Sequence, residues 1–331
     1  MLEKETLDLL KDKKNLLAFS GGGDSTALFF LLLKNNIKFD IAIVDYGLRE
    51  QSKQEVHYAQ ELANKYKLKC SVHVAKKIEK NFEANARKIR YDFFEDIISE
   101  QNYTNLLTAH HLGDRFEWML MQFCKGAGCA ELSGMQTSQK KKNYTLLRPL
   151  LHVDKSELLK YLHVEKIKYF EDETNKDETI KRNSFRHKFS EPLLKDYAQG
   201  IKKSFEYLDF DKSLLIDERT PLHVEQFTYF KSLNIRSDIY NIDKYIKSQG
   251  YMISANEREL LKDEETLVIA RKFVINKNKY YIFITPYLQD VKMSKEFKEE
   301  MRTLHVEPKL RPYFYVNEKS FKILKELLSS I

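Results

Sequence analysis

The chain has 331 residues, of which 42% are hydrophobic and 32% charged, a composition typical of a globular protein with one large or two ordinary domains. Its longest apolar run, residues 27–33, is too short to cross a bilayer, and the sequence begins without the apolar core of a signal peptide. We therefore expect a cytoplasmic protein with no membrane partner. The formal net charge of +7 is a weak indication of a polyanionic partner.

The first half of the chain alternates between predicted strands and predicted helices. After a short charged helix within residues 1–14, apolar runs predict buried strands at residues 16–19, 39–45, 69–74 and 105–109. Helical spacing of apolar residues predicts helices at residues 26–33, 52–67, 83–99 and 114–125. A lysine-rich loop at 140–142, a further strand at 146–151 and a helix at 155–164 follow. This alternation is typical of an α/β fold with a doubly wound parallel sheet, whose site lies at the carboxyl ends of the strands.

A glycine-rich turn joins the first strand to the helix that follows it. It consists of Ser20, Gly21, Gly22, Gly23, Asp24 and Ser25. Consecutive glycines let backbone N–H groups approach a ligand closely, and a helix N-terminus attracts negative charge, so the turn predicts a phosphate site. It has neither the Gly-x-Gly-x-x-Gly spacing of dinucleotide-binding loops nor the Gly-Lys-Ser/Thr end of the kinase P-loop. A glycine-rich turn without a ligand is the alternative.

Polar residues follow the second and fourth predicted strands, at 45–52 and 110–117. Asp114 and Glu117 are three residues apart, so they share a face if the helix begins at Asp114. Two such carboxylates can hold Mg²⁺ or pair with an amine, or they can only stabilise the helix as N-cap and first-turn residues, and the residues alone leave both readings open. For His110 and His111 we favour a structural role or a contact with a nucleotide edge over metal binding or acid–base chemistry, because no further Cys or His stands at metal-ligand spacing.

Two groups of cationic residues are candidates for binding phosphate. Arg87, Lys88 and Arg90 lie on the predicted helix at 83–99, where a solvated basic face is the alternative. Arg182 and Arg186 are four residues apart, so on a helix they point the same way. Such a fork of two guanidinium groups suits a phosphate or an RNA backbone.

The glycine-rich turn, residues 20–25, resembles the Ser-Gly-Gly-x-Asp-Ser signature of the PP-loop ATP pyrophosphatases. Enzymes of that family cleave ATP between its α and β phosphates and use the AMP half to activate a carbonyl oxygen. Further blocks within residues 15–190 resemble, in the same order, the tRNA(Ile)-lysidine synthetases. These blocks are residues 45–49 with Ser52, 85–87 with Arg90 and Tyr91, 108–111 with Asp114 and Glu117, 126–128, 132–135, 148–151, 171–175, and Arg182 with Asn183 and Arg186.

This resemblance implies a reaction and a set of roles. ATP would adenylate O2 of the wobble cytidine of the CAU-anticodon isoleucine tRNA, and the ε-amine of free L-lysine would then displace AMP to give lysidine. The turn would hold ATP, with Asp24 supporting phosphate or Mg²⁺. Asp114 and Glu117 would orient the lysine amine, and Arg182 and Arg186 would hold phosphate or the flipped cytidine. A homodimer is left open.

The chain departs from the usual pattern of that family at three positions. Gly113 stands where a second aspartate is common, Trp118 where threonine is usual, and Tyr46 where histidine is frequent. We expect Asp114 and Glu117 to be the retained acidic pair.

The resemblance and the change of pattern predict a catalytic domain at residues 1–190 and a smaller accessory domain for tRNA docking at 191–331. We expect the second domain to be mainly helical, with helices at 192–210, 221–232 and 237–249. Strands at 266–275 and 280–285 predict a β-hairpin within it. The lysine-rich remainder, 293–331, should end in a short helix, and a plain structural cap is the alternative to RNA docking.

Three other functions remain open. A PP-loop tRNA thiolase should carry paired catalytic cysteines, whereas Cys70, Cys124 and Cys129 form no C-x-x-C pair, and we expect Cys124 and Cys129 to be buried instead. An amide-forming synthetase for small molecules would not need the Arg182–Arg186 block. A non-catalytic RNA-binding protein would not need an intact glycine-rich turn.

Overall fold

The computed structural model describes residues 1–47, 50–171 and 178–329. The chain divides into two compact units, Met1–Asp209 and Phe210–Ile331. The division falls within a long helix, Glu191–Leu215, and the functional boundary predicted after residue 190 lies just before this helix and stays a prediction. None of the helices in the described ranges is long and apolar enough to cross a membrane.

The first unit is built on a six-stranded sheet. Its strands are β1 (Asn15–Ala18), β2 (Phe39–Asp45), β3 (Cys70–Val74), β4 (Asn105–Leu107), β5 (Ser138–Lys140) and β6 (Thr145–Leu147). Their spatial order is β3-β2-β1-β4-β6-β5, and every neighbouring pair is parallel except β5 with β6. The predicted parallel sheet is confirmed, and an antiparallel edge strand runs into the segment where we predicted a lysine-rich loop.

Strand β1 lies where the strand order reverses. It has β2 on one side and β4 on the other, so that Leu17 lies opposite both Ile41 and Leu107. In open α/β sheets the loops after two such strands part and leave a crevice, which is where ligands bind. The loop after β1 carries the glycine-rich turn, and the loop after β4 carries His110 and His111.

Helices cover both faces of this sheet. The helices that begin in this unit are α1 (Lys4–Leu10), α2 (Gly23–Lys34), α3 (Glu50–Tyr66), α4 (Phe82–Gln101), α5 (Leu112–Phe123), α6 (Cys129–Leu132), α7 (Lys155–Val164), α8 (Lys181–Phe185) with a π-helical turn Arg186–Ser190, and α9 (Glu191–Leu215). Side chains alternate along β1, so Leu17 packs in a core with α2, α3 and α7, whereas Leu16 packs in a second core with α4. The doubly wound fold is confirmed.

The second unit contains a five-stranded antiparallel sheet, where the sequence predicted a mainly helical domain with one hairpin. Its strands are β7 (Leu222–Val224), β8 (Phe227–Lys231), β9 (Thr266–Ile269), β10 (Phe273–Lys277) and β11 (Tyr281–Pro286), in the order β7-β8-β11-β10-β9. Its helices are α10 (Ile235–Ser248), α11 (Ala255–Asp263), α12 (Lys295–Thr303), α13 (Arg311–Val316) and α14 (Glu318–Ser329). The predicted hairpin is present as β10 and β11.

The helix predicted at residues 221–232 is wrong, because this segment forms β7 and β8. Phe227 packs into one buried cluster and Phe230 into another. A strand that is buried on both faces lacks the alternation of polar and apolar residues, so its pattern resembles that of a buried helix. The strand predicted at 266–275 is also divided, since Ala270 and Arg271 have φ angles of 54° and 51° and form a tight turn between β9 and β10.

The core under the glycine-rich turn provides a test of this fold. Phe29 on α2 is fully buried, and its ring centroid lies 5.2 Å from that of Phe39 on β2. We expect Phe29→Ala to destabilise the first unit by about 3–5 kcal/mol, because the substitution leaves a cavity. Urea unfolding followed by the fluorescence of Trp118, the only tryptophan of the chain and a residue of this unit, measures the loss. Phe30→Ala, at the neighbouring half-buried position, is the control, and an equal loss there would contradict the assignment.

Candidate active site

Hydrogen bonds fix the conformation of the glycine-rich turn. Gly21 has a φ angle of +75°, which glycine adopts without strain, and its carbonyl accepts the N–H of Phe170 at 2.9 Å. The Ser25 hydroxyl lies 3.0 Å from the Ser20 hydroxyl and donates to the Gly22 carbonyl at 3.1 Å. The turn is therefore a preformed structure rather than a loop that a ligand would have to order.

Helix α2 begins directly in this turn, and no side chain caps its N-terminus. The first N–H groups of a helix have no partner within the helix, and the N-terminus carries a partial positive charge. The amides of Gly23, Asp24 and Ser25 are thus placed to bind an anion. The Oδ1 atom of Asp24 is shielded from solvent and has no hydrogen-bond partner among the described residues.

Helix α5 begins at Leu112, two residues before its predicted start, and His111 is its N-cap. The Nδ1 atom of His111 accepts the N–H of Gly113 at 3.0 Å, and the Asp114 carboxylate accepts the N–H of His111 at 3.0 Å. These reciprocal bonds form a capping box, so Asp114 does stabilise the helix. The same carboxylate also has charged partners outside the helix.

Four of the predicted site residues form one ion-pair network. Glu117, whose side chain is 2% exposed, accepts a hydrogen bond from Arg182 Nε at 2.9 Å and one from Arg186 Nε at 2.6 Å. Asp114 pairs with Arg182, and its Oδ1 atom lies 3.8 Å from Arg186 Nη2. The two arginines share a face, as their spacing predicted, although Arg186 lies in a π-helical turn. The two carboxylates therefore form a cation site, which guanidinium groups occupy in this structure.

The groups around Asp114 keep its carboxylate ionised. Burial raises the pKa of the Asp114 carboxyl, but His111, Arg182, His110 and the hydrogen bond from the backbone of His111 outweigh burial and hold the pKa below its ordinary value. Burial also lowers the pKa of His110 to about 4, and nearby guanidinium groups add to this effect. His110 is therefore neutral at physiological pH, and its Nδ1 atom lies 2.9 Å from the Thr108 hydroxyl.

His111 lies between the turn and the network. Its Nε2 atom is 3.7 Å from Asp24 Oδ2 and 3.7 Å from Asp114 Oδ2. An anion site and a cation site therefore lie next to each other at the crevice beside β1. This arrangement can hold a phosphate and an amine at the same time.

Lys88 and Arg90 do not join this cluster, since Lys88 pairs with Asp92 on the helix surface and Arg90 is exposed. The Arg87 guanidinium lies 4.8 Å from the centre of the Tyr91 ring and is one of the cations that lower the pKa of His110. The motif residues 48–49 and 172–175 lie outside the described ranges.

The three cysteines form no disulfide with one another. Our expectation that Cys124 is buried is wrong, because Cys124 is exposed, and Cys129 is half-buried.

Sequence reasoning missed Arg115, which is fully buried on the face of α5 opposite Glu117. Its guanidinium donates to the Ser133 carbonyl at 2.8 Å and 3.1 Å, pairs with Asp209, and lies 4.2 Å from the centre of the Phe205 ring. The signal for this residue was its place within an apolar stripe of the helix, formed by Leu112, Phe116 and Met119.

Comparisons with known proteins agree with this geometry. Residues 2–193 match the family model described as PP-loop domain, and membership of this family implies the use of ATP. A U34-tRNA thiolase from Methanococcus maripaludis has a similar fold, with a TM-score of 0.54 and 18% identity over 66% of this chain and 78% of that one.

Proteins related to this chain by sequence have a higher identity to it than the thiolase has. The chain is 43% identical to a tRNA(Ile)-lysidine synthase from Helicobacter pylori, over 94% of this chain and 92% of that protein. It is 41% identical to a tRNA(Ile)-lysidine synthase from Wolinella succinogenes, over 96% of this chain and 97% of that protein. The PP-loop domain, the near full-length coverage and the level of identity together show that the chain belongs to the tRNA(Ile)-lysidine synthase family.

Proposed function

We propose that this chain joins free L-lysine to the wobble cytidine of the CAU-anticodon isoleucine tRNA in two steps at one site. In the first step O2 of the cytidine attacks the α-phosphate of ATP, and pyrophosphate leaves. In the second step the ε-amine of lysine attacks C2, AMP leaves with O2, and the amine loses a proton. The observation that carries the proposal is the position of His111, 3.7 Å from a carboxylate oxygen of Asp24 and 3.7 Å from one of Asp114.

In the first step the glycine-rich turn holds the phosphates of ATP. The N–H groups of Gly23, Asp24 and Ser25 donate to phosphate oxygens, and the Ser20–Ser25 contact keeps the turn in the required conformation. These donors are fixed before ATP arrives, so little free energy is spent on ordering them.

Asp24 fits the role of a Mg²⁺ ligand. Its Oδ1 atom is shielded from solvent and has no hydrogen-bond partner in the described ranges. When bound, Mg²⁺ would neutralise part of the phosphate charge. Further ligands would come from the nucleotide, since no three His, Cys, Asp or Glu residues in the described part of the chain form a metal site.

In the second step Asp114 and Glu117 orient the lysine amine. Two guanidinium groups already bind these carboxylates, which supports a site for a cation. Arg182 is the partner that can exchange, because its side chain is 44% exposed, whereas that of Arg186 is 13% exposed. We propose that Arg182 moves to the phosphate of the adenylated cytidine and leaves its place to the lysine ammonium.

The low pKa of Asp114 assigns this carboxylate an electrostatic role. A carboxylate that stays ionised at neutral pH binds an ammonium group well but is a weak proton acceptor. The cytidine must also leave its stack to reach the site.

Docking of the tRNA by residues 191–331, a cytoplasmic location and a homodimer stay predictions. Light scattering in solution tests whether the protein is a homodimer.

The first test is an assay with ATP, labelled L-lysine and a transcript of isoleucine tRNA with a CAU anticodon. We expect label only in this tRNA and not in a control with the same anticodon in a methionine tRNA body. Asp114→Asn keeps the size of the side chain but removes its charge, so we expect lysine incorporation to fall by about 100-fold or more. Release of pyrophosphate by the wild-type protein without lysine incorporation would contradict the proposed second substrate.

The second test separates the two arginines. We expect Arg182→Ala to lower kcat strongly, because a phosphate contact is lost, and to lower the KM for lysine, because a competing cation is removed. Steady-state kinetics at varied lysine concentration measure both values. An unchanged kcat together with a raised KM would contradict the exchange of Arg182 for lysine.

The third test compares Arg186→Ala with Arg182→Ala in the free energy of unfolding. Arg186→Ala leaves the buried Glu117 without its best-shielded partner, so we expect a loss of about 3–5 kcal/mol in the free energy of unfolding. Arg182→Ala should cost clearly less, because the side chain is more exposed. Urea unfolding followed by Trp118 fluorescence compares the two variants, and the reverse order would argue against the network as described.

A further inference from the structure

The side chain of His111 makes more contacts than an N-cap needs. Its Nδ1 atom accepts the N–H of Gly113 at 3.0 Å, so this nitrogen carries no proton and the N–H of the ring is at Nε2. The side chain is 5% exposed, and Nε2 points at two carboxylates, with Asp24 Oδ2 and Asp114 Oδ2 each 3.7 Å away. An N-cap requires only the first of these contacts.

The two carboxylates belong to different parts of the site. Asp24 belongs to the glycine-rich turn and to the first turn of α2, and Asp114 lies in the first turn of α5, in the ion-pair network. The distance of 3.7 Å is too long for a hydrogen bond, but either carboxylate needs to move by less than 1 Å to accept one. The imidazole is thus the group through which a shift of one carboxylate reaches the other.

Gly113 makes this ring position available. A Cβ atom at position 113 would lie 2.7 Å from Cε1 of His111, which is closer than such atoms approach, and 3.0 Å from Nδ1. Gly113 lies in the first turn of α5, and its backbone does not need a positive φ. A side chain at this position would therefore affect the imidazole rather than the conformation of the helix.

We propose that His111 is a positioning residue that fixes Asp24 and Asp114 relative to each other, from a ring position that a Cβ atom at Gly113 would disturb. This inference rests on the proposed function, in which Asp24 serves the activation of the cytidine and Asp114 the transfer of lysine. The Nε2–H group bridges the two carboxylates when ATP and lysine are bound. Loss of the bridge misplaces the amine relative to the activated carbon, which affects kcat more than either KM.

Two substitutions at position 111 separate this role from that of an N-cap. Asparagine is a good N-cap, but its side chain is too short to reach Asp24, whereas glutamine places an amide N–H near the position of Nε2 and is a poor N-cap. We expect His111→Asn to keep the thermal stability and to lower kcat for lysidine formation by about 100-fold. His111→Gln should be less stable and should retain more of the activity.

The ratio of pyrophosphate released to lysine incorporated provides an independent measurement. The wild-type protein should give a ratio near one, and His111→Asn should give a higher ratio, because cytidine that has been activated is not captured by lysine. The opposite order of activities, with the asparagine variant active and the glutamine variant impaired, would show that capping is the whole role and would overturn the proposal. The wild-type ratio tests the proposed function separately, since a protein that incorporates no lysine fails there before any variant is compared.

A double-mutant cycle keeps the test independent of folding defects at position 111. Gly113→Ala should displace the ring and lower kcat in the wild-type background but should have no further effect in the His111→Asn background. Gly200→Ala, at a helical position where a Cβ meets nothing within 4 Å, is the control for the added methyl group and should not lower the thermal stability. Equal losses from Gly113→Ala in both backgrounds would overturn the proposed link between Gly113 and the imidazole.

Discussion

The central constraint of the catalytic unit is the position of β1 between β2 and β4. Because all three strands are parallel, their carboxyl ends meet at one edge, and the chain must leave β1 and β4 in loops that neighbour each other. Each loop leads directly into a helix, so the N-termini of α2 and α5 both face the crevice. Two converging helix dipoles favour negative charge there, which explains why both first turns carry an aspartate, Asp24 and Asp114, and why the same place suits a phosphate.

Buried charge then determines how rigidly α5 is held. Glu117 on one face is almost fully buried and bound by two guanidinium groups, and Arg115 on the opposite face is fully buried against Ser133, Asp209 and Phe205. Removing either partner of such a pair leaves an uncompensated charge in a medium of low polarity, so each ion pair acts as a strong restraint on the helix. A helix that is clamped on two faces can present Asp114 and His111 at fixed positions, which is a requirement for chemistry that depends on a small distance.

Much of this could be predicted from the sequence, and the failures have physical reasons. The glycine-rich turn and the shared face of Arg182 and Arg186 are local features, which spacing reveals. The pairing of those arginines with Glu117 joins residues 65 and 69 positions apart and depends on the tertiary fold, so no local pattern contains it. The prediction of a helix at 221–232 failed because Phe227 and Phe230 are buried on the two faces of a sheet. Burial on both faces removes the alternation of polar and apolar residues that identifies a strand.

The guanidinium groups bound to Asp114 and Glu117 also affect whether lysine binds before or after the cytidine is activated. A lysine ammonium gains little by replacing a guanidinium that then lacks a partner, because the two cations make similar interactions with Asp114 and Glu117. The exchange becomes favourable once Arg182 has a new anion to bind, and in the proposed reaction the adenylated cytidine brings that anion into the site. The network therefore favours lysine binding after activation rather than before it. In the proposed exchange Arg186 stays on Glu117, so the buried carboxylate keeps a counter-charge while Arg182 moves.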